Sequence, residues 1–388
     1  MTACIVGWHH LPFVKAAAGD VESMIVEAAS GAIADSGLSP ADIDVIYLGH
    51  FNGGFNRQDF TASLVLQADP ALRFKPATRV ENACATGSAA VHGGVRAIRA
   101  GEARTALVVG VEKMSELSGP EIGDTLLKAS YLAEEGGIEG GFAGVFGQIA
   151  QHYFQRYGDQ SDALAAIAAK NHANGVGNPY AQMRKDLGFD FCRNESERNP
   201  FVAGPLKRTD CSLVSDGAAA LVLADVETAL SLEKAVIFRA AAHVSDFLPM
   251  SRRDILAFEG CREAWSRALD QSRMAMLDLD FVETHDCFTI AELLEYEAMG
   301  LAEPGKGSVA AVEGWTRKDG RLPVNPSGGL KSKGHPIGAT GVSMHVMSAM
   351  QLAGDAGDMQ IGDASTAGIF NMGGACVASY VSILERLR

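Results

Sequence analysis

The sequence predicts an α/β enzyme built from two similar halves that face each other. Three observations predict it. Glycine is abundant, at 43 of 388 residues, while aromatic residues make up only 7%. That mix suits tight strand-to-helix turns and closely packed helices better than a β-sandwich or a fibre. Hydrophobic residues reach 47%, enough for a large core and for two or three domains. Each half also carries the same succession: an apolar strand, a Gly-rich turn with a reactive side chain, a long helix and a further apolar strand.

The elements follow in order. Ala3 to Val6 reads as a short buried strand. Val21 to Asp35 has apolar residues at helical spacing, and Gly37 is a stop signal. Val45 to Leu48 is a strand. Arg79 to Glu81 leads into Ala83 to Ala100, a turn and a tightly buried helix in which Gly93 and Gly94 permit close packing. Ala106 to Val111 is a strand. From Ser118 to Pro205 polar residues, Gly and broken helical patterns suggest an insertion that caps a site. Gly217 to Leu223 returns to buried strand. In the second half, Val236 to Val244 is a strand, Asp254 to Leu269 a helix and Phe281 to Glu283 a short strand. Asn325 to Gly341 is a Gly-rich turn before a helix, Val342 to Leu352, and Ala375 to Ile383 is the last strand. Residues 1–117 with 206–235, 118–205 and 236–388 are thus expected as first half, cap and second half.

Composition excludes several functions. The formal net charge of −14 argues against general nucleic-acid binding, though a local basic patch can still hold an anionic ligand. The seven Cys are odd in number and lack C-x-x-C pairs, so neither a disulfide framework nor a structural zinc site is expected. A reduced, cytoplasmic setting is the natural expectation. The start, MTACIVGWHH, has no secretory pattern, the end, ERLR, no peroxisomal address, and no apolar stretch is long enough for a membrane span.

Four features point to chemistry. Cys84, in ENACATGSAA, stands between a predicted strand and a predicted helix start, where unpaired amides and the helix dipole favour a thiolate. A buried structural thiol would look the same. His335, in NPSGGLKSKGHPIGATG, is flanked by Gly334 and Pro336, a rigid turn that can aim an imidazole as base for a Cys nucleophile. His285-Asp286-Cys287-Phe288 follows the strand FVE. A metal pair is conceivable there, but no further ligands sit at fitting spacing, and Cys287 also reads as a buried thiol. Gly373 and Gly374, in FNMGGA, can present bare amides to an oxyanion or simply make a turn.

CATGSAA, HDCF and NPSGGLKSKGHPIGATG together resemble the thiolase superfamily, and HDCF is similar to the sterol-carrier-protein type, where most thiolases have Asn-Glu-Ala-Phe. The resemblance spans nearly the whole chain, including DGAAALVLAD (Asp216 to Asp225). It implies a layered αβαβα fold with a capping loop domain. It implies acyl transfer to or from coenzyme A, in lipid metabolism, by a homodimer or homotetramer. Coenzyme A would be substrate, with no tightly bound cofactor and no metal. Cys84 would be the acylated nucleophile and His335 its base. His285 would complete a first oxyanion hole with His335, and the amides of Cys84 and Gly373 would form a second. Many thiolases take their acid/base Cys from a C-terminal Cys-x-Gly-Gly; here that position is Asn371. The resemblance assigns the role to Cys287, with Cys376 as the alternative. Lys207, Arg208, Arg252 and Arg253 are candidates for the coenzyme A phosphates, and His152, His172 and Tyr180 for the acyl channel. A ketoacyl-synthase-type condensing enzyme and a non-catalytic or partner-dependent subunit are the competing readings.

Overall fold

The computed structural model describes residues 2–388. The first half contains β1 (Ala3–His10), α1 (Val21–Ser36), β2 (Val45–Gly49), β3 (Ala77–Val80), α2 (Thr86–Ala100) and β4 (Thr105–Glu112). An insertion follows, with helices α3 (Gly119–Leu127), α4 (Leu132–Glu135), α5 (Gly141–Tyr157), α6 (Ser161–Gly175) and α7 (Phe189–Arg193), then a hairpin of β5 (Phe201–Ala203) and β6 (Leu206–Lys207). The half closes with β7 (Gly217–Asp225) and the short α8 (Val226–Ala229). The second half has β8 (Val236–Ser245), α9 (Glu259–Ser272), β9 (Phe281–Glu283), α10 (Thr289–Ala298), α11 (Gly307–Val312), α12 (Gly329–Lys333), α13 (Ile337–Ala353), β10 (Thr366–Gly373) and β11 (Ala378–Arg386).

The main strands form one sheet in the order β3-β2-β4-β7-β1-β8-β11-β10-β9. The halves meet where β1 pairs briefly with β8, Cys4 opposite Ile237 and Ile5 opposite Val236. Read outward from that seam, β1-β7-β4-β2 on one side corresponds to β8-β11-β10-β9 on the other. Pairing agrees as well: β2 and β4 are parallel, as are β9 and β10, while the strands nearer the seam pair antiparallel. The repeat seen in the sequence is therefore a repeat of structure. α1 covers one outer face and α9 the other, while α2 and α13 lie between the two halves of the sheet. This is the layered αβαβα arrangement.

The apolar runs explain the strands. In β7, Ala218, Ala220, Val222 and Ala224 enter the core beneath α1, while Ala219, Leu221 and Leu223 enter the core on the other face. Strands buried on both faces read as continuous apolar runs rather than alternating ones.

Several boundaries differ from the sequence expectation. The insertion is more helical than its Gly content suggests. Gly147 of α5 packs so close to Ala203 that a Cβ there would sit 3.0 Å from it. α9 begins at Glu259 rather than Asp254, because Phe258 adopts a left-handed φ of 41° just before it. Gly373, a turn candidate, closes strand β10, and the last strand starts at Ala378 rather than Ala375. α13 starts at Ile337 and takes in Gly338 and Gly341, which the sequence places in the turn.

Those glycines are contact points. A Cβ on Gly87 of α2 would lie 2.7 Å from the amides of Gly341 and Val342, and one on Gly341 would lie 2.1 Å from the Ser88 amide. The two central helices thus touch backbone to backbone. Gly341→Ala should cost about 1–3 kcal/mol or more through overpacking, lowering the melting temperature by at least a few degrees. Gly362→Ala, which meets nothing within 4 Å, should leave it within about 1 °C. Differential scanning calorimetry of both variants checks this.

Candidate active site

Each candidate side chain sits at the end of a strand or the start of a helix. Cys84 lies in the tight turn from β3 into α2. Ala83 takes a left-handed φ of 49° to make that turn, and the Ala85 and Thr86 amides donate back to Asn82 and Ala83 at 3.0 and 3.1 Å. Such a conformation in a non-Gly residue stores strain of order 1–3 kcal/mol. His335 stands just ahead of α13, at the position of the second repeat that matches Cys84 in the first. His285 and Cys287 follow β9.

The fold brings these residues together. Cys84 Sγ and one ring nitrogen each of His285 and His335 all lie within 4.8 Å of one another. The two imidazoles meet edge to face, with centroids 5.1 Å apart at 82°. Cys84, Cys287 and His335 line a cavity of about 300 Å³, which Met114, Phe142 and Phe288 make largely apolar. His285 is fully buried behind it. Phe288 is fixed by stacking on Phe146, with centroids 4.5 Å apart.

Burial dominates the electrostatics. It pushes the Cys84 thiol up to about 12, against the smaller opposing effect of the Gly374 amide that donates to it. The helix start expected to favour a thiolate is therefore outweighed by desolvation. Burial likewise raises Cys287 well above its ordinary range, and the nearby Cys84 raises it further. It lowers His335 to about 3 and His285 well below the usual imidazole range, each helped by a nearby basic group, Lys333 and His335 respectively. At rest all four groups are neutral.

Supporting contacts fix the geometry. His335 Nδ1 is 2.7 Å from Thr340 Oγ1, and its backbone N–H donates to Ser215 Oγ at 3.1 Å. Asp286 accepts from the Leu330 and Lys331 amides at 2.6 and 3.1 Å. The HDCF turn is thereby tied to the helix that precedes His335. Gly373 lies against the turn before Cys84, where a Cβ would be 2.4 Å from the Asn82 carbonyl. Cys376 is elsewhere: its sulfur is 3.6 Å from Ser379 Oγ, and it does not line the cavity.

The four candidate cations separate. Arg208 lines the cavity mouth. Lys207 is buried, its ammonium 3.4 Å from Asp210, so it presents no free charge to a phosphate. Arg252 lies over the Phe247 ring at 3.8 Å, and Arg253 donates to the Ala375 carbonyl at 2.7 Å. Neither lines the cavity. A second cavity of about 440 Å³ shares Arg208 and Leu213 with the first, and adds Lys185, Arg198 and His172. His172 is buried with neither ring nitrogen paired. Lys185 and Arg198 escaped the sequence reading because nothing in their spacing marks them. Of the other channel candidates, His152 is exposed on α5 and Tyr180 packs on His10, with centroids 4.8 Å apart.

Comparison with known proteins shows the family and the fold. The description "Thiolase, N-terminal domain" matches residues 4–227, and "Thiolase C-terminal domain-like" matches residues 241–386. An acetyl-CoA acetyltransferase of Methanothermobacter thermautotrophicus is 36% identical over 94% of this chain and 94% of its own. Sterol carrier protein 2 of Oryctolagus cuniculus is 32% identical over 97% of this chain and 71% of its own. Two solved structures share the fold. An Ltp2-ChsH2(DUF35) aldolase has a TM-score of 0.85 at 22% identity, covering 100% of this chain and 98% of its own. An acetyl-CoA acetyltransferase from Syntrophomonas wolfei has a TM-score of 0.72 at 17% identity, covering 99% of each. With both halves of the sequence matched and the cysteines and histidines of its motifs gathered around one cavity, the chain belongs to the thiolase family.

Proposed function

We propose that this chain is a thiolase-type acyltransferase. It cleaves a 3-ketoacyl-CoA with coenzyme A, or condenses an acyl-CoA with acetyl-CoA, through an acyl-Cys84 intermediate. The convergence of Cys84, His285 and His335 within 4.8 Å, beside Cys287, carries the reading.

In the cleaving direction His335 takes the Cys84 proton as the sulfur attacks the 3-keto carbon. The bond to the α-carbon breaks, and its electron pair passes to acetyl-CoA as an enolate. His335, now protonated, and His285 hold the enolate oxygen. The amides of Cys84 and Gly373 hold the oxygen of the tetrahedral intermediate. Cys287 gives its proton to the α-carbon and acetyl-CoA leaves. Coenzyme A then enters and returns a proton to Cys287 as its sulfur attacks the acyl-Cys84 thioester. Cys84 departs and recovers its proton from His335. One thioester replaces another, so the exchange is nearly isoenergetic. The position of Cys376 off the cavity supports Cys287 as the acid.

Arg208, between the two cavities, and the cations Lys185 and Arg198 beyond it support a path for the coenzyme A phosphates. Strand β3 forms one edge of the sheet, and the nearby Phe60 and Phe74 are 80% and 84% exposed. These two exposed aromatic side chains beside the sheet edge support a homo-oligomer. The fold shared with the Ltp2-ChsH2(DUF35) aldolase supports a partner-dependent activity as the second reading, and turnover by the isolated chain separates the two.

Three results test this reading. Incubation with acetyl-CoA should add one acetyl group to the Cys84 peptide by mass spectrometry, and Cys84→Ala should abolish it. Cys287→Ala should still acylate but lose about 10²–10⁴-fold in carbon–carbon cleavage, whereas Cys376→Ala should not. Arg208→Ala should raise KM for coenzyme A about fivefold to tenfold, through loss of one charged contact, with kcat little changed. The neutral resting site makes a fourth prediction. With the Cys84 thiol held up at about 12, its thiolate fraction grows with pH across the neutral range. Alkylation of the free enzyme by iodoacetamide should therefore accelerate about tenfold per unit between about pH 7 and 9. A preformed thiolate–imidazolium pair would instead give a rate flat across that range.

A further inference from the structure

Asn371 occupies the position from which the resemblance expects a reactive cysteine. We propose that it is a positioning residue, fixing His285 in the tautomer that carries its hydrogen on Nε2. The two histidines then face the reacting atoms in opposite proton states, His285 as donor and His335 as acceptor. The inference rests on the thiolase reading of the site.

The amide of Asn371, on β10, is fully buried. Its Nδ2 lies 3.1 Å from the Cys84 carbonyl oxygen and 2.8 Å from His285 Nδ1. The Cys84 carbonyl accepts only, so the amide must turn its NH2 toward it. The reverse orientation would set two oxygens against each other at 3.1 Å. An NH2 group has two hydrogens: one goes to Cys84, the other to His285 Nδ1. That nitrogen therefore accepts. Burial keeps the ring neutral, so its one N–H is on Nε2. Nε2 is buried and has no protein partner. This buried donor, without a protein partner, is held ready for an oxygen.

His335 has the opposite arrangement. Thr340 Oγ1 donates its single hydrogen to the Pro336 carbonyl at 3.0 Å, and so must accept from His335 Nδ1 at 2.7 Å. Nε2 of His335 is left with a lone pair, buried and without a protein partner. A lone pair is what a base for Cys84 needs, and an N–H is what an enolate oxygen needs. The same protons bear on metal binding. Cys84, His285 and His335 are close enough to surround a cation. Yet His285 offers it no free lone pair, since Nδ1 is taken by Asn371 and Nε2 carries the hydrogen. The trio is built to meet a developing anion.

Long-range ¹H–¹⁵N correlation on the full chain with labelled histidine tests this, with His285 assigned by its loss in His285→Gln. The expected wild-type pattern is protonated Nε2 and bare Nδ1 at His285, with the reverse at His335. In Asn371→Asp the carboxylate accepts only, so the His285 hydrogen should move to Nδ1. Carbon–carbon cleavage should then fall about a hundredfold or more in kcat, as for loss of one oxyanion donor. KM should change little, and acetylation of Cys84 should persist. A wild-type His285 protonated on Nδ1 overturns the proposal, and this needs no variant to fold. So does an Asn371→Asp enzyme that shifts the tautomer yet cleaves at the wild-type rate. Absence of acetyl-Cys84 in the wild type would bring down the thiolase reading while leaving the tautomer measurement to stand separately.

Discussion

The contact between Gly87 and Gly341 is the constraint on which the site depends. Helices ordinarily pack with axes 8–10 Å apart because side chains fill the space between them. Here the starts of α2 and α13 have none at the contact, and a Cβ at either glycine would meet backbone of the other helix. Cys84 lies two residues before α2 and His335 two residues before α13. Bringing the helix starts together therefore brings Cys84 and His335, the proposed nucleophile and base, together. The repeated topology makes this possible: each half delivers one helix to the central layer in the same orientation relative to its own strands. A two-fold pattern in the chain thus becomes a facing thiol and imidazole.

Helix contact alone does not hold the loops, and three buried carboxylates do. Glu112, at the end of β4, accepts from the Phe51, Asn52 and Gly338 amides, each at 3.1 Å. It joins the end of β2 to the first turn of α13. Asp216, just before β7, accepts from Ala17, Met114 and Ser115. Asp286 accepts from Leu330 and Lys331. A carboxylate that accepts several backbone amides fixes two chain segments at once without a long side chain to order. The HDCF and GHP motifs are separate in sequence, yet through Asp286 they form one rigid object.

This division explains what was legible. Strands of continuous apolar residues, helix α1 with its Gly37 stop and the repeated order of elements all follow from local pattern. α10 did not, because Glu292 and Glu295 are buried in a polar network with Lys170, Asn171 and Thr284, so the helix has no polar face to recognise. β10 did not, because Gly373 and Gly374 read as loop although Gly373 still pairs with Ala378. Motifs marked Cys84, His285, Cys287 and His335. They could not show that Lys207 is engaged by Asp210, that Thr340 orients His335, or that burial reverses the expected state of Cys84. Those are facts of the assembled surroundings, set by burial and by local backbone geometry that residue spacing does not reveal.

That reversal bears on the order of the proposed reaction. Cys84 and Cys287 share one cavity, and charge on Cys84 raises Cys287. While negative charge develops on Cys84, Cys287 is held protonated, the state an acid requires. Acylation then removes the charge from Cys84. Cys287 can now release its proton to the enolate carbon without facing a second thiolate, and its own charge is quenched when coenzyme A arrives. Burial makes each lone charge costly, so at most one thiolate is tolerated at a time. The same low dielectric strengthens the donors that meet the enolate and the tetrahedral oxygen. A dry, neutral site therefore does more than raise the thiols: it couples their protons to the sequence of bond changes.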